Sequence, residues 1–258
     1  MTFGVNNMRV LVTAGASGIG LETARAFVEE GALVHVCDID ERALDALGAS
    51  DPALSASRTD VSDRGAVEGL FGEVVAHWGG LDILVNNAGI AGPTGRVEEI
   101  DPEDWDRCLA VCLTSQFNCV RLAVPLLKES QNASIVNLSS VAGRFGYPLR
   151  TPYAAAKWGV IGFTKSLSRE LGEFGVRVNA VLPGLVTGDR RTRMLEDKAA
   201  KTGRSFEDIA RDFVVNASVK EPVSPRQIAD QILFLASPRS RTLSGQAISV
   251  DGDLQMIV

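Results

Sequence analysis

The chain has 258 residues, with 26 Lys+Arg against 32 Asp+Glu for a formal charge of −6, and 45% hydrophobic residues. That apolar share suits a packed core rather than disorder, and an acidic balance without a basic run argues against nucleic acid, whose phosphates need matching Lys and Arg. His35 and His77 are the only histidines, so a zinc hydrolase or a Ser-His-Asp enzyme would have to use one of those two.

In chain order, Arg9–Thr13 (RVLVT) reads as a strand running into glycines, and an amphipathic helix follows over 18–30. Residues 32–37 (ALVHVC) read as a second strand and 55–61 as a weaker third. Val67, Leu70, Phe71, Val74, Val75 and Trp78 recur at helical spacing. A buried strand is predicted at 82–85, then a long helix over 105–127, bent near Pro125. Three further strands are predicted at Ser134–Leu138, 177–182 and 246–250, with helices over about 152–173 and 225–236. Ser224, Pro225 and Gln227 make a good helix start, as N-cap, first position and third position. Seven short apolar strands alternating with helices predict an α/β fold: one domain over 1–258, a doubly wound parallel sheet with helices on both faces.

The stretch 188–222 departs from this rhythm, with 15 of its 35 residues charged. It has its own helix signal, Ser205 as N-cap and Phe206, Ile209, Ala210 and Phe213 on one face. Leaving the carboxyl end of the sixth strand, it is placed to cover a ligand site; an ordinary surface insertion is the alternative.

Cys37, Cys108, Cys112 and Cys119 form no C-x-x-C pair and no metal-ligand spacing, so no metal is expected. Cys108, Cys112 and Cys119 share a helical face as small apolar residues, in a core or an interface. Residues 1–7 have no charged segment leading into an apolar one, and no apolar run approaches the ~20 residues that span a bilayer. A cytoplasmic protein without a membrane partner is the expectation.

The turn Thr13–Gly20 lies between the first strand and the first helix. Gly15, Gly18 and Gly20 would let the backbone approach a pyrophosphate at the positive helix end, with Ser17 and Ile19 in the same turn. Asp38 follows 18 residues after Gly20, at the end of the second strand. A carboxylate there accepts bonds from a ribose 2′-OH and repels a 2′-phosphate. No Lys or Arg stands just before Gly18 or directly after Asp38, so NAD is predicted over NADP. Asp38 capping the next turn is the structural alternative.

Tyr153 and Lys157 stand four apart on a predicted helix, so a phenol and an ammonium share one face, with Ser140 thirteen residues earlier. Hydride transfer to a carbonyl leaves an alkoxide that needs a proton, and the reverse reaction needs a base. A free phenol holds its proton up to a pKa near ~10, so this work near neutrality needs a cation favouring the phenolate. Lys157, together with the positive nicotinamide of an oxidised cofactor, would supply it, and Ser140 would hold the substrate oxygen.

With these motifs the chain, from Arg9 to Gly252, resembles the short-chain dehydrogenase/reductase family, single-domain Rossmann enzymes of about this length. The resemblance implies that Asp60-Val61 contacts adenine and that Asn86-Asn87-Ala88-Gly89 lies beside the adenosine ribose. It implies reversible NAD-linked oxidation of a secondary alcohol to a ketone. Tyr153 would be the acid/base, and Lys157 would also bind the nicotinamide ribose. Pro183 and Gly184 would bind the cofactor and the Val186 backbone its carboxamide, although Gly188 stands where the family usually has Thr.

The resemblance also implies an Asn whose water relays protons to the Lys, and Cys112 stands at that position. Asn118, six residues on, faces elsewhere. The relay then runs through another group, or activity is weakened, or the chain is a non-catalytic NAD(H)-binding or sensing protein. A sugar-nucleotide epimerase or dehydratase fits less well. Arg144, Arg150, Arg190, Arg191 and Arg193 near the expected pocket suggest an anionic or polyhydroxylated substrate; solvated arginines paired with Asp189, Glu196 and Asp197 are the alternative. A homotetramer or dimer through the helices 105–127 and 153–171 is implied as well.

Overall fold

Because strand side chains alternate between faces, β-strands covered on both sides read as continuous apolar runs. Seven such strands, β1 (Arg9–Thr13), β2 (Leu33–Asp38), β3 (Leu54–Arg58), β4 (Ile83–Asn86), β5 (Ser134–Leu138), β6 (Arg177–Pro183) and β7 (Ala247–Val250), pair in the computed structural model. Every pairing is parallel, in the order β3-β2-β1-β4-β5-β6-β7. The structure describes residues 2–257, and of Phe213 the backbone alone, so the expected place of its side chain lies outside the described residues.

Nine helices connect the described strands: α1 (Gly18–Glu29), α2 (Glu41–Ser50), α3 (Arg64–Trp78), α4 (Pro102–Leu109), α5 (Ser115–Leu127), α6 (Thr151–Leu171), α7 (Asp189–Thr202), α8 (Phe206–Val215) and α9 (Pro225–Ala236). On one face Val10, Val12, Val34, Val36 and Val136 pack on Ala24 and Phe27 of α1 and Ile228 and Ile232 of α9. On the other, Leu11, Leu84 and Ile135 pack on Leu70 and Val74 of α3, Val120 and Ala123 of α5 and Leu167 of α6. The chain builds outward from β1 to β3, then returns to β4 on the other side of β1. This reversal opens a crevice at the strands' carboxyl ends, the usual ligand position in such sheets.

Four features differ from expectation. The helix α2 carries no clear apolar period because Leu47 is its only buried residue; Asp40 starts it by accepting from the amides of Arg42 and Ala43. The third strand ends at Arg58, because Asp60 folds the chain over the amide and hydroxyl of Ser62. The long helix begins at Pro102, and its ladder changes at a π-helical turn over Ala110–Thr114 rather than at Pro125, which stands two residues from its end. By length and apolar content the run Pro102–Leu127 would reach across a bilayer. It lies instead along the sheet, with Cys108, Cys112 and Cys119 buried in the core.

Candidate active site

A cleft of about 430 Å³ opens at the carboxyl ends of β1, β4, β5 and β6. Of the predicted site residues, Ser17, Gly18, Ile19, Asn87 and Gly89 line its nucleotide side. Ser140, Tyr153, Lys157, Pro183, Gly184 and Val186 line the rest. Gly15, Gly20, Asp38, Asp60, Val61 and Ala88 are not among its lining residues.

The three glycines of the first turn differ in what they do. A Cβ on Gly15 would stand 2.5 Å from the Cβ of Val36, and one on Gly20 would strike the carbonyl of Ala14. These two allow the turn to pack on β2 and on its own backbone, rather than opening it to a ligand. Gly18 has a left-handed φ of +53° and open space where a Cβ would be. The other left-handed residue is Ala14, φ +49°. Its Cβ strain of about 1–2 kcal/mol exceeds the unfolded-state entropy a glycine costs, about 0.4–1 kcal/mol. Ala14→Gly is therefore expected to raise the melting temperature by about 1–3 °C. A fall on thermal denaturation would mean the methyl group packs favourably.

Ser17 caps α1 without a side-chain bond, and no acidic residue stands in the helix's first turn. The free amides there suit an anionic group such as a dinucleotide pyrophosphate. Asn87 ties the turn to β4: its Nδ2 donates to the carbonyls of Thr13 and Ala14, at 2.9 and 3.0 Å. Thr13 Oγ1 accepts from the amides of Asn87 and Ala88, a positioning role the sequence did not suggest. Asp38 accepts from the amides of Ala16 and Asp40, so it does cap local turns. Register also places Arg58 of β3 beside it, a cation that linear reading misses.

At the reacting end, α6 presents Tyr153 and Lys157 on one face. Lys157 Nζ lies 5.7 Å from the center of the Tyr153 ring and donates to the carbonyl of Leu138 at 2.7 Å. Ser140 Oγ accepts from the amide of Ala142 at 3.1 Å, which leaves its hydroxyl proton to donate elsewhere. Cys112 Sγ is 3.4 Å from both the amide nitrogen and the carbonyl oxygen of Ile90. The Cys108 thiol beside it, then the positive charge of Lys157, pull Cys112 below the usual thiol range. Hydrogen bonding to Cys112 and burial push Cys108 up. One turn on, Gln116 donates to the same Leu138 carbonyl at 3.3 Å, while its Oε1 is buried without a partner among the described residues. An unpaired buried amide oxygen costs about 1–3 kcal/mol. Asn118 faces elsewhere, donating to the carbonyl of Val61.

Arginines frame this end. The Arg150 guanidinium lies 5.6 Å from the center of the Tyr153 ring and that of Arg190 lies 5.9 Å from it. Arg150 is only 4% exposed, which overturns its reading as a solvated arginine. Among the described residues it donates to the carbonyl of Ala91 and to Thr94 Oγ1 at 3.5 Å, its Nε has no partner, and no ion pair joins it to a carboxylate. Arg190 donates to the carbonyl of Gly89 at 3.1 Å. Arg144 is exposed and reaches Ser249 of β7. The excursion forms α7 and α8, whose Leu195 and Ile209 pack with Val141 and Ala142, so α7 brings Arg190, Arg191, Arg193 and Met194 to the cleft.

A family model described as enoyl-(acyl carrier protein) reductase matches residues 13–254. The chain is 39% identical over 252 residues to a 3-oxoacyl-[acyl-carrier-protein] reductase of Thermotoga maritima, covering 95% of this chain and 96% of the relative. It is 33% identical to a D-beta-hydroxybutyrate dehydrogenase of Cupriavidus necator, covering 96% and 98%. Among solved structures it resembles levodione reductase (TM-score 0.89, 27% identity, 96% and 97% covered). It also resembles an actinorhodin polyketide ketoreductase variant with NADPH (TM-score 0.90, 32% identity, 96% and 97% covered). With its parallel seven-stranded sheet, the chain belongs to the short-chain dehydrogenase/reductase family of nicotinamide-dependent oxidoreductases.

Proposed function

We propose that this chain interconverts a secondary alcohol and a ketone with NAD, on a small substrate bearing a carboxylate. The observation that carries the reading is the meeting of Ser140, Tyr153 and Lys157 with the glycine turn in one cleft. Ser140 Oγ–H donates to the substrate oxygen and holds it for Tyr153 Oη, which passes it a proton or takes one. The Lys157 ammonium favours the phenolate when Tyr153 acts as base. Bound nicotinamide supplies the hydride acceptor or donor. Asn87, Gly89 and the Pro183–Val186 backbone would hold the cofactor, with Asp60-Val61 on its adenine side, and α7 would cover the substrate.

The carboxylate follows from Arg150. A buried guanidinium without a counter-charge is costly, and a bidentate carboxylate beside Tyr153 would offset that cost. For NAD, Asp38 keeps acceptor capacity beyond its two backbone bonds and would repel a 2′-phosphate, a repulsion that Arg58 beside it reduces. Four free, buried cysteines support a reducing compartment, the cytoplasm. Trp158 and Phe117, about half exposed on α6 and α5, support pairing of these helices with a second copy.

The test compares a short keto acid with its methyl ester, using NADH and then NADPH. The acid is expected to win in kcat/KM by about 10- to 100-fold, a preference Arg150→Met removes. NADH is expected to win by about 100-fold. Equal rates for acid and ester sink the carboxylate, and equal rates with NADPH sink the cofactor preference. A second reading, a weakened or non-catalytic NAD(H)-binding protein, is favoured by Cys112 facing Ile90. Tight NADH binding without turnover of any ketone would support it.

A further inference from the structure

We propose that Gln116 is a positioning residue for Lys157, supplying from α5 the amide that Cys112 lacks; this rests on the acid–base reading of Tyr153 and Lys157. The Lys157 side chain is a cation in a residue only 3% exposed, so each of its three N–H groups needs an acceptor. Leu138, the last residue of β5, takes one of them at 2.7 Å. The same carbonyl takes Gln116 Nε2 at 3.3 Å, so amide and ammonium converge on one oxygen from α5 and α6.

Gln116 is 1% exposed, and its Oε1 is buried without a partner among the described residues. An apolar side chain of similar size would fill the space without stranding a polar atom, so packing does not explain a glutamine here. An ordered water accepting from Lys157 Nζ and donating to Gln116 Oε1 satisfies both groups and orients the ammonium toward Tyr153. The donation to Leu138 identifies Nε2, which leaves Oε1 as the acceptor. Cys112, one turn earlier, has its sulfur engaged with Ile90, and Asn118 points to Val61. The other titratable or charged groups facing Tyr153 and Lys157 are Cys108 and Cys112 from the α4–α5 run, Tyr147 and Arg150 ahead of α6 and Arg190 of α7, so the reference for every titration is the Tyr147→Phe chain.

The chain has two tyrosines, so in a Tyr147→Phe background ultraviolet titration reads Tyr153 directly, with no substrate needed. Gln116→Met is expected to move the midpoint of Tyr153 ionisation to higher pH by about one unit, because a less firmly held ammonium supports the phenolate less. The rising limb of kcat against pH for alcohol oxidation moves the same way, with kcat down about tenfold near neutrality. Adding Cys112→Asn returns the midpoint toward its starting value. An unmoved midpoint in Gln116→Met, whatever happens to kcat, or one that Cys112→Asn fails to restore, overturns the proposal. If no alcohol is oxidised by the unmodified chain, the proposed function fails while the titration still tests this inference.

Discussion

Tyr153→Phe is expected to lower kcat by about 10³-fold, since under the proposed function it removes the group that exchanges a proton with the substrate oxygen. Stability and NADH affinity should stay close to those of the unmodified chain. The structure separates these effects because no hydrogen bond among the described residues ties Tyr153 Oη to the protein. The ring is held by its surroundings, with the guanidinium groups of Arg150 and Arg190 at 5.6 and 5.9 Å from its center and the ammonium of Lys157 at 5.7 Å. Phenylalanine keeps that ring and loses only the hydroxyl. Steady-state NADH absorbance, fluorescence titration of NADH and a thermal melt of the same preparation give the three readouts. Turnover within tenfold of the unmodified chain would mean the proton comes from another group. Lys157 offers no such separation, because its bond to Leu138 makes it part of the buried structure as well as the chemistry.

The parts of this site that could be read in sequence are those set by local spacing. Tyr153 and Lys157 share a helix face at any tertiary arrangement, and the turn before α1 announces itself by glycines. Strands buried on both faces read as apolar runs, and the Ser224–Gln227 start of α9 forms the capping box its residues suggest. Features that depend on long-range placement were not legible. Arg150 is one of five arginines near the cleft in sequence, and burial beneath the 89–95 loop singles it out only in space. Arg58 lies beside Asp38 through strand register, 20 residues on. Gln116 is an ordinary helix residue until Leu138 brings Lys157 to the same carbonyl. The π turn at Cys112 has no compositional mark, and α2 is anchored by too few apolar residues to show a period. Ala14 reverses the glycine logic, since a strained alanine looks like any other in sequence.

Arg177→Met is expected to cost about 3–5 kcal/mol, because it leaves several buried acceptors without a donor at about 1–3 kcal/mol each. Arg177 is in β6, where a central strand ordinarily carries an apolar residue, and it is 7% exposed. Its guanidinium closes the carboxyl end of α9. One arm donates to the carbonyl of Leu235 and, at 2.7 Å, to Ser240 Oγ; the other donates to the carbonyls of Ala236 and Ser237 and to Asn132 Oδ1. Burial lowers its pKa to about 10, so it stays charged at neutral pH against the negative end of the helix. Methionine fills much of the same volume but strands several buried carbonyls at once. At about 2–4 °C per kcal/mol for a chain of this size, the melting temperature should fall by about 6–20 °C. Arg121→Met is the comparison, because Arg121 meets Glu68 at the surface with 44% and 58% of the two side chains exposed. That pair contributes about 0–1 kcal/mol at most, so its loss should hardly move the melt. Equal small shifts in the two variants would show that the carbonyls of α9 find other partners when Arg177 is gone. A large shift in Arg177→Met alone would place the anchoring of α9, and with it one face of the sheet beneath the cleft, on a single buried guanidinium.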